Sequence, residues 1–434
     1  MNQAKQERED LQGSVLIVAM CLLFIVVGLV ITILDVASDH RKIAVRQMYL
    51  DQAMYAAEAG IEVGARFMES NLTVMVSSST GATNGSGTAG SGSYSYYICR
   101  SNTSTYCIIS TGTVNGVKRV VSLLDVYQPT YAEFALWDHL NNGLYFGSGE
   151  TFNGHVHADD ELFFTGSPAF YAPLTSDYGT FGGSLSGVYL ASGLTLNSYQ
   201  GTMADINFNS GSSSLKNTAS SGGTLSVQIA GNTTITFNGG TVSITNPTKS
   251  WVNHSYSIPA SGGLIYVANN GSITGSKAGI IYLQGGAITG PLTVVSENDM
   301  YVQNNITYTH NPVTTPTTTD ALGLISQDDI WISTSAPNNL TIDAAMIAAG
   351  TSGDGSAGSF GALNYSTRSA GTLTILGGIV QNQRGAVCTF NGSGQVQNGY
   401  AKSYGYDKRF LTIPPPDYPV ISGKINFSQW QESH

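Results

Sequence analysis

Between Ser14 and Leu34 the chain carries no charged side chain: SVLIVAMCLLFIVVGLVITIL. A helix of about 20 residues spans about 30 Å, the thickness of a bilayer's hydrocarbon core. A secretory signal peptide has a shorter apolar region, about 7–15 residues, followed by a small-residue cleavage site. Here the run is too long, and Val36-Ala37-Ser38 is a poor site. The first expectation is therefore a membrane helix that stays in the protein.

The next stretch, Asp35 to Ser70, holds no proline and reads as the same helix continued, now amphipathic. Ala53, Ala57, Gly60 and Gly64 recur at helical spacing, so one face is built of small residues. A polar leader, a membrane helix and a soluble helix in direct succession resemble the N-terminus of type IV pilin-like proteins. The likeness is closest to the minor pilin and minor pseudopilin branch. It is carried by Gly13, by Ser14-Val15-Leu16-Ile17-Val18 after it, and by Tyr55-Ala56-Ala57-Glu58-Ala59-Gly60.

That resemblance implies cleavage by a prepilin peptidase between Gly13 and Ser14, and a place for Val15, Leu16, Ile17 and Val18 in a filament-core helix. Such substrates usually carry Phe after the Gly and Glu at the fifth mature position; here these are Ser14 and Val18. In the family that Glu is thought to pair with a neighbour's N-terminal amine, and a buried amine without a partner is costly. Its replacement by Val18 implies a minor or tip subunit. An uncleaved signal anchor is the alternative. Charges around the run do not decide its orientation: Lys5 and Arg8 stand against Glu7, Glu9 and Asp10, while Arg41, Lys42 and Arg46 follow it. With one such run, a single crossing is expected.

The 434 residues can hold two or three domains. Only 11% are charged, against about 25% in typical soluble proteins. The surface must then be neutral and polar, which suits an extracellular β-rich protein. A net charge of −10 argues against a nucleic-acid partner. Cys99 and Cys107 have hairpin spacing, which permits a disulfide in an oxidising compartment; two free thiols are the alternative. Cys388 is expected to be buried.

By composition, 1–13 is a leader, 14–70 the long helix, and 71–92 a Ser/Gly-rich spacer. Residues 93–129 alternate strands with turns, including Asn115-Gly116, and predict a small antiparallel sheet against the helix. From 130 to 413, short apolar runs are separated by Gly, Asn and Ser turns, with no amphipathic helix among them. The expected fold class is mainly β with a long N-terminal helix. Its large part is a parallel β-helix (solenoid), with a β-sandwich as the alternative. Residues 414–434 read as a Pro-rich extended tail, running outside the coils and closing one end.

Residues 130–420 also resemble a β-helical domain found in bacterial envelope proteins with pilin-like N-termini. The matching stretches are Gly154-His155-Val156-His157, Gly279-Ile280-Ile281-Tyr282-Leu283, Leu322-Gly323-Leu324-Ile325-Ser326-Gln327-Asp328-Asp329-Ile330, and Ser403-Tyr404-Gly405-Tyr406-Asp407-Lys408-Arg409. The last leads into Pro414-Pro415-Pro416-Asp417-Tyr418-Pro419.

His155, His157 and Asp159, with Asp160, are weak metal-ligand candidates. Alternation puts both histidines on one strand face, but metal sites normally recruit a second segment, so exposed polar residues at a turn are the preferred reading. Asp328-Asp329 is weaker still as a Ca²⁺ site. Arg368 and Arg384 have no acidic cluster beside them in sequence, so glycosidase or lyase chemistry lacks its carboxylates. The expectation is a non-enzymatic, cofactor-free, low-copy pilin-like subunit of a type IV pilus or type II secretion pseudopilus. Its partners would be the membrane, other pilin-like subunits and a prepilin peptidase, with surface glycans as candidate ligands. A signal-anchored β-helix that binds or cleaves polysaccharide is the alternative.

Overall fold

The computed structural model describes residues 2–70, 83–100, 106–198, 214–220, 226–269, 278–351, 357–391, 395–421, 425–427 and 429–433; the side chains of 2–14, 70, 83, 100 and 433 are excepted. The chain is mainly β with one long N-terminal helix, α1 (Asn2–Ser70). Residues 71–82, most of the compositional spacer, lie outside the described residues. Residues 83–89, also assigned to the spacer, instead form a strand.

Four strands, β1 (Thr83–Ala89), β2 (Gly92–Arg100), β3 (Tyr106–Val114) and β4 (Val117–Val126), pair antiparallel in chain order. The turn between β3 and β4 is Asn115-Gly116, both at positive φ (46° and 79°). A two-residue turn of this handedness matches the twist of the strands it joins. The C-terminal half of α1 lies on this sheet. Ala53, Ala57, Gly60 and Gly64, the small-residue face, are all buried there. Small side chains let the helix backbone approach closely: a methyl group added at Gly112 of β3 would collide with the Ala53 carbonyl. Ile61, Met68, Tyr96, Ile98, Ile108, Val121 and Leu123 complete a separate core.

Beyond β4 the strands turn parallel. One ladder runs through Ser226–Ala230, Gly263–Ala268, Pro291–Ser296, Ala321–Ser326, Leu340–Ala348 and Gly371–Gln383. It then continues through Phe134–Leu140, His155–Ala158, Leu174–Ser176 and Leu194–Leu196. A second ladder stacks Thr233–Gly239, Ile281–Ile288, Met300–Val302, Ile330–Ile332 and Phe360–Ala362. A third passes from Ile281–Ile288 through Ile306–Tyr308, Leu340–Ala348 and Gly371–Gln383 to Val396–Gly405. In-register pairing puts like on like, for example Val294 on Leu324 and Met300 on Ile330. The interior is aliphatic in the later part of the chain and aromatic in the earlier part, where Phe146, Phe152, Phe164 and Phe170 are buried together.

The order within the first ladder does not follow the chain. Two runs, 134–196 and 226–383, form a single column, and the end of the second run docks on the start of the first. A short helix, Leu215–Ser220, lies between the runs in sequence, in a region where no helix is expected. It buries Leu215 and Ala219 in an outer cluster with Leu264, Tyr266 and Ala268. Two antiparallel strands, Thr241–Asn246 and Trp251–Ser257, extend the sheet beside Thr233–Gly239.

Only the end of the C-terminal segment differs from the expected extended tail. Residues 414–421 lie along the side of the column: Thr293 Oγ1 donates to the Pro416 carbonyl, and the Tyr418 ring sits beside Gly323. The chain then pairs with the entering segment through the bridges Thr130–Val420 and Tyr127–Asn426. Its last strand, Gln429–Ser433, joins the open edge of β4. The column is thus inserted between two adjacent strands of the helix-bound sheet and held by both of its ends. Pairing also covers a strand edge that would otherwise expose unbonded backbone groups.

Candidate functional site

Gly13 and Ser14 lie within α1, one residue before the apolar run. Val15, Leu16, Ile17 and Val18 are between 56% and 66% exposed, and every residue from Val15 to Met48 is exposed. That is about 50 Å of helix standing clear of the body. Its most apolar window is entirely unburied. Within it the Thr32 hydroxyl donates to the Gly28 carbonyl at 2.7 Å, so this polar group needs no water. Burial begins at Ala53, so α1 is divided into an apolar, unpartnered half and a half packed on β1–β4. Glu58 sits at the packed half, half-buried.

Cys99 and Cys107 face each other across β2 and β3 with Cα atoms 5.1 Å apart, and they form a disulfide. Cys388 is half-buried rather than buried.

The histidine motif occupies a corner of the column. His155 and His157 both contact Thr175 Oγ1, at 2.8 and 2.7 Å, on the paired parallel strand. His157 Nε2 lies 2.8 Å from Asp159 Oδ1, and His139 Nδ1 lies 2.7 Å from Asp159 Oδ2. Trp137 Nε1 donates to Asp159 Oδ1 at 2.9 Å. Burial raises the Asp159 carboxyl, but hydrogen bonds with His139 and His157 outweigh it and hold the group below the usual carboxylate range. The same contact with Asp159 raises the His139 imidazole. Ligand atoms of His157, Asp159 and Asp177 all lie within 4.8 Å of one another. His155 does not join them. Sequence reading missed His139 and Asp177. The signal was their register: positions 139, 159 and 177 follow the paired strand positions Asp138, Ala158 and Ser176.

The joint between the two runs carries a second polar group. Arg384 Nη1 donates to Asn141 Oδ1 at 3.0 Å and to the Leu144 carbonyl at 3.2 Å. Its Nε is 3.6 Å from Asp138 Oδ2, and its guanidinium lies 4.0 Å above the Phe146 ring. Gln381 Nε2 donates to Asp138 Oδ1 at 2.8 Å. Lys402 pairs with Glu150. Burial pushes the Asp138 carboxyl up to about 6 in spite of Arg384. Burial acts likewise on Glu150, but Lys402 and Arg384 keep that group below its ordinary value. Arg384 therefore has an acidic partner that only folding reveals. Arg368 lies over the Tyr400 ring and donates to the Ser333 carbonyl. Beside the joint opens a cleft of about 730 Å³, lined by Tyr145, Ser148, Thr165, Arg384, Phe390 and Lys402 among others.

Asp328 and Asp329 serve the turns. Asp329 Oδ1 accepts from the Ser359 amide at 2.6 Å, and the Asp328 amide donates to Ser326 Oγ at 3.2 Å.

No family model and no curated protein matches the chain. Among solved structures, the chain is similar to the competence-associated pilin ComZ of Thermus thermophilus, at 12% identity and a TM-score of 0.35. The match covers 89% of this chain and 98% of that one.

Proposed function

We propose that this chain is a non-enzymatic, minor pilin-like subunit. Its leader is removed after Gly13, its apolar half-helix is held first in the membrane and then in a filament of other pilin-like subunits, and its parallel β-helix is displayed outward. The observation that carries this reading is the division of α1: an apolar stretch exposed from Val15, continuous with a small-residue face sealed against a β-sheet. An anchor alone would not need a rigid continuation into the folded head. Val18 in place of an acidic residue, and the bulk of the column, favour a tip or low-copy position, with adhesion or initiation of assembly as the role. The filament would be a type IV pilus or a type II secretion pseudopilus. The test is to shear surface filaments from cells expressing the chain and probe for it. Recovery with filaments at low stoichiometry supports the reading; retention of all copies in the membrane fraction opposes it.

The cleft at the joint favours a second reading in which the column binds glycans. Tyr145 and Phe390 offer aromatic faces, and Ser148, Thr165 and Lys402 offer polar groups. A glycan array probed with the full chain, compared with a Tyr145→Ala, Phe390→Ala variant, tests it.

A further inference from the structure

We propose that the corner formed by His139, His157, Asp159 and Asp177 is a divalent transition-metal site of the zinc class. The side chains come from successive coils, which supplies the additional segments that such a site requires and that the HVHADD motif alone lacks. His157 Nδ1 lies 2.7 Å from Thr175 Oγ1 on the paired strand, and its Nε2 faces Asp159 Oδ1 at 2.8 Å. A hydrogen bond that fixes the second ring nitrogen is the usual arrangement around a ligating histidine.

The donor set selects the cation. A divalent ion balances the two carboxylates, Asp159 and Asp177. Mixed imidazole and carboxylate donors suit zinc-like ions, whereas calcium takes oxygen donors. The donor atoms of His157, Asp159 and Asp177, within 4.8 Å of one another, close on an ion at about 2.0–2.2 Å through small side-chain rotations. The path in is open at His139, whose side chain is 40% exposed, while His157 is fully covered. The Trp137 indole, donating to Asp159, fixes the carboxylate from behind.

The experiment is titration of the full chain in detergent micelles with zinc chloride, in competition with a chromogenic chelator. One zinc ion per chain is expected, with calcium unable to displace it. Asp177→Asn and His157→Gln should each weaken zinc at least tenfold. Asp177→Asn keeps the shape of a half-buried side chain, and far-UV circular dichroism checks its fold. Zinc should raise the Tm of the parent chain and leave that of Asp177→Asn unmoved. Failure of the parent chain to bind zinc, or unchanged zinc affinity in Asp177→Asn, overturns the proposal. Neither result depends on filament assembly.

Discussion

Arg384 Nη1 lies 3.0 Å from Asn141 Oδ1, although 243 residues separate them in the chain. This contact closes the column. Asn141 also donates from Nδ2 to the Glu161 carbonyl at 2.9 Å, so it ties the last coil of one run to two coils of the other. Within each run, parallel pairing and the shared apolar interior hold the strands together. At the joint, where no covalent turn connects the rungs, buried polar groups add specificity to the pairing of Gly371–Gln383 with Phe134–Leu140.

Replacing Arg384 by Ala should therefore destabilise the column strongly. It leaves Asp138 buried without its cation, and such losses cost about 3–5 kcal/mol. Thermal or urea unfolding of the chain in micelles reads this. A variant with Lys402, which pairs with Glu150 at the joint's edge, changed to Met should lose less, because its side chain is 15% exposed rather than 5%.

Stability should fall as pH rises from about 4 through about 6. Burial pushes Asp138 and Asp343 each up to about 6 in the folded chain, above the unfolded value of about 4. Their contribution is fully present below about pH 4 and is lost as pH passes upward through about 6. Asp159 and Glu150, held low, lose their contributions only at more acid pH. Asp343→Asn keeps an acceptor for the Tyr308 amide, 2.9 Å away. It should flatten the slope, and a Tm-against-pH series measures it.

Truncation after Ile421 should loosen the helix-bound sheet more than the column. It removes the strand Gln429–Ser433 from β4 and the Arg119–Glu432 pair (3.0 Å). Hydrogen exchange should quicken in Val120–Leu124, while strands such as Ala321–Ser326 keep their protection. Equal loss in both would mean that the two bodies unfold as one.

Gly112→Val should separate α1 from its sheet, since the added side chain meets the Ala53 carbonyl and the Ala57 amide. A loss of about 2 kcal/mol or more is expected from overpacking. Partial proteolysis would show it as new cleavage between Ala53 and Met68.

Local patterns made α1, its small-residue face and the Asn115-Gly116 turn legible, because each depends on neighbours in the chain. Short apolar runs likewise announced mainly β structure with parallel strands. What sequence could not show was long-range register. Nothing near Gln381 announces Asp138, and nothing near Trp430 announces Leu123, its pairing partner. The quoted motifs gain a physical sense only in the fold. Gly154 lies under the Tyr406 ring, Gly323 lies beside Tyr418, and Arg409 donates to the Thr318 and Asp320 carbonyls. The HVHADD spacing puts His157 and Asp159 side by side, whereas His139 and Asp177 join them only through the register of paired strands.

Entry of α1 into a filament depends on processing at Gly13. The direct measurement is the N-terminal sequence of the mature chain after co-expression with a prepilin peptidase. A chain that begins at Ser14 and keeps the whole apolar run is expected. A mature chain that still carries residues 1–13, or one cut after Leu34, would contradict it.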